Sequence, residues 1–185
     1  MIKIQISKTL QGKIRKGYPW VFNYQIQNRI PDGSRENLGV IYDHNNRFLA
    51  MGLWDPYSDL CFRVLNLGKP REINGYFFLE RLQSAIKIRQ ELETQGTTGY
   101  RVINGESDGF PGLVLDRYED TLVLKLYTTS WFPFLDDLCI ISKRIQESAG
   151  GFAISPERWQ IIGVWFDLSG WADFVWAGEF GMGAI

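Results

Sequence analysis

The chain has 185 residues, 45% of them hydrophobic and 15% aromatic, which is enough to form the core of one large domain or two small ones. Its 20 lysines and arginines are balanced by 21 aspartates and glutamates, so a uniformly basic nucleic-acid-binding protein is excluded and any RNA-binding surface must be a local patch. A single histidine and the lack of a Cys/His cluster with zinc spacing predict no metal site.

The start of the chain and its two cysteines favour a cytoplasmic protein. "MIKIQISKTL" lacks the long apolar core of a signal peptide, and no apolar run reaches the roughly 18 residues that a membrane span requires. Cys61 and Cys139 have apolar neighbours in "DLCF" and "DLCI", which predicts buried free thiols instead of a disulfide.

The first part of the chain predicts a small β domain. Strand patterns occur in "IKIQI", "GVIYD", "FLAMGLWD" and "DLCFRVLNL". The intervening "HNNR" suits a hairpin loop because asparagine tolerates positive φ. "GKPREING" breaks the pattern and indicates a domain boundary between residues 68 and 74.

A basic segment, "SKTLQGKIRKGYPWVF", follows the first strand. Lysine and arginine neutralise phosphates, and a tyrosine or tryptophan can stack on a base. The candidate RNA-binding residues are Lys13, Arg15, Lys16, Tyr18 and Trp20. A solvated basic turn followed by core aromatics explains the same residues, and the sequence leaves both interpretations open.

The second part of the chain predicts helices and strands in mixed order. A helix capped by Asn74 extends to Gly96, and strands follow in "YRVIN", "GLVLDRY" and "TLVLKLY". In the last of these, Leu122, Leu124 and Leu126 share one face. A second helix is predicted from Ser130 to Ile145, with Pro133 in its first turn.

The glycine-rich stretch "GESDGFPG" between two of these strands allows two interpretations. In an extended segment, Glu106 and Asp108 would point the same way and could form a paired-carboxylate acid/base site acting on a nucleotide or RNA. Alternatively, the stretch is a structural turn in which Asp108 accepts amide hydrogen bonds and Gly109 or Gly112 takes positive φ.

The last 35 residues differ in composition from the rest of the chain. They contain Trp159, Trp165, Trp171 and Trp176 but only one basic residue. The run around Gly178, Gly181 and Gly183 resembles a cofactor loop without the helix that such a loop needs, so no cofactor is expected in this chain. The tryptophans could complete the preceding domain or drive formation of a homodimer.

"YRVINGESDGFPGLVLDRYEDTLVLKLY" resembles the central signature of bacterial ribosomal-RNA large-subunit methyltransferases, and "KGYPWVFNYQI" resembles their PUA-domain signature. These are class I S-adenosylmethionine (SAM)-dependent enzymes, similar to the cytosine-C5 methyltransferase of the large-subunit RNA. The resemblance covers roughly residues 1–148. The matching signature residues are Gly105, Glu106, Asp108, Gly109, Pro111, Gly112, Asp116, Arg117 and Tyr118.

The resemblance implies an α+β protein with an N-terminal PUA-like β-barrel at residues 1–68, a central α+β domain at 73–150 and a divergent Trp-rich tail at 151–185. The Rossmann-like methyltransferase domain is expected to be absent, together with its catalytic residues. The implied function is binding of RNA, ribosomal in the family, with SAM used only by the full-length proteins and no methyl transfer by this chain alone. The "GESDGFPG" stretch would then be a scaffold, whereas a small enzyme using Glu106 and Asp108 and a protein-interaction module remain the alternatives.

Overall fold

The computed structural model describes residues 1–31, 36–119 and 121–138, together with short strands at 159–160, 167–168 and 171–172. The chain folds as two compact units. The first comprises Met1–Glu72 and Thr129–Pro133, and the second contains Ile73–Thr128 and resumes at Phe134. The functional domain boundaries inferred from the sequence, at residues 68, 73 and 150, stay predictions.

The first unit is built on a five-stranded mixed sheet. Its strands are β1 (Ile2–Ile4), β2 (Trp20–Val21), β3 (Leu38–Tyr42), β4 (Phe48–Trp54) and β5 (Phe62–Leu67). They are ordered β1-β3-β4-β5-β2, with β1 parallel to β3 and all other neighbours antiparallel. A helix, α1 (Lys8–Arg15), connects β1 to β2. The small β fold predicted for this part of the chain is confirmed.

The basic segment after β1 is a helix and not the solvated turn that the alternative interpretation proposed. The turn between β3 and β4 follows the prediction, because Asn46 adopts a φ of 56°, in the left-handed region. Cys61 is a buried free thiol, and burial raises its pKa to about 12. Cys139 lies outside the described residues.

The second unit combines two helices with a four-stranded sheet. Its elements are α2 (Gly75–Ile88), α3 (Gln90–Thr94), β6 (Gly99–Asn104), β7 (Leu113–Tyr118), β8 (Thr121–Leu126) and β9 (Trp159–Gln160). The sheet order is β6-β7-β8-β9, antiparallel except for the parallel pair β8–β9. The α+β character predicted for this part is therefore present.

The core of the second unit forms where α2 packs against one face of the sheet. Leu122, Leu124 and Leu126 are all buried, as their alternation predicted. The ring of Phe78 lies with its centroid 5.3 Å from that of Phe134 and 6.1 Å from that of Phe110. Burial of these large apolar side chains is the main stabilising contribution to this unit.

The prediction of one continuous helix from Asn74 to Gly96 is wrong, because the structure has two helices, α2 and α3, in this region. Asn74 does cap α2, since its side-chain oxygen accepts a hydrogen bond from the backbone N–H of Phe77 at 3.2 Å. At Arg89, however, the backbone N–H bonds to the carbonyl of Ile86, three residues back, at 2.9 Å. This tighter turn ends α2, and the chain restarts as the short α3.

The α-helix predicted from Ser130 is also wrong in its first turn, which is a 3-10 helix over Thr129–Phe134. The Ser130 hydroxyl donates a hydrogen bond to the backbone carbonyl of Trp54 at 2.5 Å, and Trp131 is fully buried. These contacts within the first unit determine the conformation more strongly than the helical spacing does. Residues 135–138 are helical, and the rest of the predicted helix lies outside the described residues.

Three short strands are described beyond residue 150. Trp159 of β9 pairs with Leu122 of β8, and β10 (Asp167–Leu168) pairs antiparallel with β11 (Trp171–Ala172). Of two further stretches with a strand-like sequence, "IIGVWFDL" contains β10 at its end, whereas "DFVWA" (173–177) lies outside the described residues. The glycine run at 178–183 lies outside the described residues, and association through the tail stays a prediction.

Candidate functional site

The basic segment predicted to bind RNA is presented by α1. Ser7 caps the helix, its hydroxyl oxygen accepting a hydrogen bond from the N–H of Leu10 at 3.2 Å. Leu10 and Ile14, four residues apart, are buried in the core of the first unit. The opposite face exposes three lysines, Lys8, Lys13 and Lys16, which have no carboxylate within ion-pairing distance in the described part of the chain.

The helix ends in a left-handed glycine that redirects the chain. Gly17 has a φ of 95°, its N–H bonds to the Ile14 carbonyl at 2.9 Å, and the N–H of Tyr18 bonds to the Lys13 carbonyl at 3.1 Å. This pair of bonds is a Schellman motif, which glycine permits because it has no β-carbon. The motif places Tyr18 and Trp20 directly after the basic helix.

Arg15, the third predicted basic residue, is engaged differently from the lysines. Its guanidinium donates a hydrogen bond to Asp43 at 2.8 Å, and the Asp43 side chain is nearly buried. Gln11 makes a second contact with the same turn: its side-chain oxygen accepts a hydrogen bond from the backbone N–H of His44 at 3.3 Å. These two contacts hold α1 against the β3–β4 turn, a role that sequence reasoning did not anticipate.

Asp43 is the anchor of that turn. Its Oδ1 accepts hydrogen bonds from the backbone N–H groups of Asn45 and Arg47, both at 2.9 Å. The Arg47 amide is the main cause that lowers the pKa of Asp43 below its ordinary value of 3.8; the Asn45 amide and the charges of Arg47 and Arg15 act in the same direction, against the effect of burial.

The lowered pKa predicts a pH dependence of stability. Ionised Asp43 contributes stability fully above its ordinary pKa, and the contribution is lost as the pH falls through the lower folded-state pKa. Asp43→Asn should therefore destabilise the protein most near neutral pH, with the difference from wild type shrinking below a pH of about 4. Urea unfolding of both proteins between pH 7 and pH 2.5 measures this, and a difference that stays constant over the range contradicts the prediction.

The two predicted stacking residues are only partly accessible. Tyr18 and Trp20 are half-buried and pack edge to face, with ring centroids 6.1 Å apart. The aromatic pair after them is more open: Phe22 and Tyr24 stack at 5.9 Å, and Tyr24 is among the most exposed aromatic residues described. Its polar neighbours in "FNYQ" are the sequence signal that could have identified it.

The "GESDGFPG" stretch is a compact turn between β6 and β7. Residues Gly105–Asp108 form a 3-10 turn, and Gly105, Gly109 and Gly112 have φ of 55°, 78° and 69°. The prediction that Gly109 or Gly112 takes positive φ is confirmed for both. Asp108 accepts a hydrogen bond from the Asn104 N–H at 2.6 Å, as expected of a turn-capping carboxylate.

The paired-carboxylate interpretation rested on an extended backbone, and that premise is wrong. In a 3-10 helix successive residues rotate by about 120°, so the side chains of Glu106 and Asp108 diverge. Asp108 is instead bound to Arg89, whose Nη2 lies 2.7 Å from Oδ2. The carboxylate therefore acts as a structural ligand of the turn.

Arginines from outside the signature hold this turn in place. Arg81 donates a hydrogen bond to the carbonyl of Gly109, and its guanidinium lies 4.0 Å from the centre of the Phe77 ring. Arg81 and Arg89 together hold α2 against the turn. Both arginines were absent from the predicted site because they lie about 20 or more residues away in the sequence.

The remaining signature residues lie on β7. Asp116 accepts hydrogen bonds from Arg101 at 2.8 and 3.3 Å, and the side-chain hydrogen bond from Asp116 raises the pKa of Arg101. Arg117 donates to the backbone carbonyl of Glu119 at 2.7 Å and to the Tyr100 hydroxyl at 3.4 Å. Pro111 lies between the buried residues Phe110 and Gly112.

The part of the chain that the structure describes contains neither a membrane-spanning helix nor a cluster of metal-binding side chains. There, no helix combines the length and apolarity needed to cross a membrane. Within the same ranges, no three His, Cys, Asp or Glu side chains come together as a metal-ion site.

Comparison with known proteins agrees with this geometry. Residues 4–67, from the last residue of β1 to the end of β5, match the family described as PUA-like domain. The first unit contains a PUA-like domain. The match continues beyond it in the curated relatives, one of which is "Ribosomal RNA large subunit methyltransferase" of Deinococcus radiodurans, 45% identical over 139 residues. "Ribosomal RNA large subunit methyltransferase I" of Shewanella denitrificans is 36% identical over 141 residues.

These alignments cover most of this chain but a minor part of each relative. They include 72% and 74% of the chain, which spans only about a third, 34% and 35%, of the length of the two relatives. The resemblance to ribosomal-RNA large-subunit methyltransferases, over the PUA-like domain and the region after it, is thereby confirmed.

Solved structures share the fold. A candidate SAM-dependent methyltransferase from Streptococcus mutans aligns with a TM-score of 0.66 at 18% identity, covering 90% of this chain and 40% of that one. A second structure, of a candidate methyltransferase complexed with SAH, aligns with a TM-score of 0.67 at 18% identity. At this identity the likeness describes the fold alone.

Proposed function

We propose that the PUA-like domain of this chain binds RNA through the basic face of α1 and the turn that follows it. The observation that carries the proposal is the arrangement of Lys8, Lys13 and Lys16 on one exposed helix face, next to the aromatic residues Tyr18 and Trp20. Lysines without carboxylate partners can neutralise phosphates, and the partly exposed rings provide contacts to bases or sugars.

The rigid attachment of α1 supports the same proposal. Arg15, Gln11 and the Schellman turn fix the helix on the sheet, so little ordering of the protein is needed when RNA binds. Arg15 keeps donors that Asp43 does not use and can add a phosphate contact beside the lysines.

By homology, we propose that the bound RNA is ribosomal and that the chain is the front portion of a ribosomal-RNA methyltransferase-like protein. In this proposal residues 1–68 bind RNA, residues 73–150 form a scaffold centred on "GESDGFPG", and residues 151–185 are a divergent tail. The relatives carry the methyltransferase name and one solved structure of the same fold is described as SAM-dependent, so in this proposal SAM is used by the full-length proteins.

The described residues do not fit a SAM site of the nucleotide-binding type. Such a site needs a glycine-rich loop between a parallel strand and a helix, so that helix amides face the ligand. The described glycine-rich loop, Gly105–Gly112, joins the antiparallel strands β6 and β7 and leads into a strand. RNA binding by this chain is accordingly proposed to be independent of SAM.

The first test removes two lysine charges from α1. Lys13→Gln together with Lys16→Gln should weaken binding to structured ribosomal-RNA fragments and lower the slope of log K against log salt concentration by about two. Arg15 is left in place, because its removal would take from nearly buried Asp43 the nearer of its two guanidinium partners and confuse binding with folding.

A matched control removes two lysine charges from positions outside α1. Lys69 and Lys87 are exposed lysines outside α1, and their joint change to glutamine should leave the salt slope nearly unchanged. Fluorescence anisotropy across a salt series measures both double variants. Equal slopes for the α1 variant and wild type would refute the proposed interface, as would an equal loss in the control.

A further inference from the structure

We propose a second RNA-contacting surface in the second unit: the sheet face that carries Arg101, Tyr118, Lys125 and Tyr127, suited to a short single strand of RNA. This face, called here the tyrosine face, rests on the proposed RNA-binding function and extends it to a surface separate from α1. None of its four residues was among the predicted RNA-binding residues.

The strand register places these side chains together. Arg101 pairs with Asp116, and Tyr118 lies two residues further along β7. Because alternate residues of a strand point to opposite faces, both lie on one face, and the buried leucines of β8 lie on the other. Lys125 shares the face of Arg101, since its cross-strand neighbour is Val114, two residues before Asp116.

The exposed tyrosines provide platforms for stacking. Tyr118 is 57% exposed and Tyr127 is 45% exposed. Tyr127 directly follows the end of β8, six positions after the residue that pairs with Tyr118, which corresponds to about 20 Å of extended chain. The two rings are therefore too far apart to contact one base and suit separate bases of a strand several nucleotides long.

The two cations lie between the tyrosines. The Lys125 ammonium is 4.8 Å from the centre of the Tyr127 ring and places a positive charge beside the position that the phosphate of a stacked nucleotide would take. The Arg101 guanidinium is held by Asp116 and by the Asn104 side-chain oxygen at 3.2 Å. These hydrogen bonds engage the N–H groups along the edge of the guanidinium, and Asp116 partly balances its charge. The planar face of the guanidinium is therefore better suited to stacking on a base than its N–H groups are to binding a phosphate.

An open cleft of about 600 Å³ borders this face beside β6 and adds hydrogen-bonding groups. Its lining includes Arg101 and Tyr118 of the tyrosine face together with Asn104 and Asp116 from the same two strands. The Asn104 and Asp116 oxygens that bind Arg101 each keep a second lone pair, which can accept a hydrogen bond from the edge of a base that a stacked ring holds in place. Alternating aromatic and cationic groups favour RNA over an apolar protein partner, which would need a continuous apolar patch.

The test uses the full chain and a single-stranded RNA of six nucleotides, with a duplex RNA for comparison. Tyr118→Ala and Tyr127→Ala should each weaken hexamer binding about ten-fold, whereas Tyr118→Phe should retain it because stacking needs the ring and not the hydroxyl. Tyr76→Ala is the matched control, since Tyr76 is 77% exposed on α2, away from the sheet. It should bind as wild type does.

The outcomes separate this proposal from the proposed function. If wild type binds neither RNA, the proposed function fails and this inference fails with it. If wild type binds and the Lys13/Lys16 variant weakens binding but both alanine variants bind the hexamer normally, the tyrosine face alone is refuted. Unchanged RNA binding with a loss of self-association in the alanine variants would refute it in favour of a protein interface. A stronger effect on the hexamer than on the duplex would support it.

Discussion

Gly52→Ala is expected to destabilise the first unit by about 3 kcal/mol or more, because a β-carbon at this position has no space. It would lie 2.0 Å from the backbone carbonyl oxygen of Arg63 and 3.0 Å from the ring of Phe62. A backbone oxygen cannot rotate away as a side chain can, so strands β4 and β5 would have to separate. Gly52 lies at a register shift between these strands, where the close approach of the two backbones occurs.

The matched control is Gly12→Ala in the same unit. Gly12 lies inside α1, and an added β-carbon would meet no atom within 4 Å. Alanine should stabilise the helix there by about 0.5–1 kcal/mol, since glycine loses more conformational entropy on folding. Thermal and urea unfolding followed by circular dichroism measure both variants. A Gly52→Ala protein as stable as wild type would mean that β4 and β5 can shift, contrary to the expectation.

The strands and turns were predictable because local chemistry determines them. Alternating apolar residues located most of the strands, and the tolerance of asparagine and glycine for positive φ anticipated Asn46, Gly109 and Gly112. The Asn74 cap followed from its position before an apolar helical pattern. In each case the residues that determine the feature are within a few positions of it.

Helix α1 was not predicted because little in its eight residues distinguishes it. It buries only two apolar side chains, Leu10 and Ile14, and contains Gly12, which disfavours a helix. Its position depends on Gln11 and Arg15 contacting a turn about 30 residues away. Tertiary contacts of this kind leave no periodic signal in the sequence.

The candidate site shows the same limit. The basic residues and Asp108 were recognised by type, but the partner of each carboxylate was not. Asp43 pairs with Arg15 across 28 positions, and Asp108 pairs with Arg89 across 19. For this reason Glu106 and Asp108 resembled a catalytic pair in the sequence. Only the fold reveals that the Asp108 carboxylate forms an ion pair with Arg89.

Asp108→Asn is the second change with a large expected effect, a loss of about 2–4 kcal/mol from the free energy of unfolding. Asparagine keeps an oxygen that can accept the Asn104 N–H, so the turn retains its local hydrogen bond. The charge on Arg89 loses its counterion. The side chains of Arg89 and Asp108 are only 16% and 6% exposed, so water cannot fully replace the lost carboxylate.

A double-mutant cycle isolates this ion pair from the other contacts of the turn. Arg89→Gln should also destabilise the protein, and the double variant Asp108→Asn/Arg89→Gln should be more stable than the sum of the single losses predicts, by about 1–3 kcal/mol. Asp136→Asn, an exposed carboxylate in the same unit, is the control and should change stability by less than about 0.5 kcal/mol. Urea unfolding gives all four values. Strict additivity of the two single variants would show that Asp108 stabilises the turn through Asn104 alone, and the Arg89 pairing would then contribute nothing to holding α2 against the signature turn.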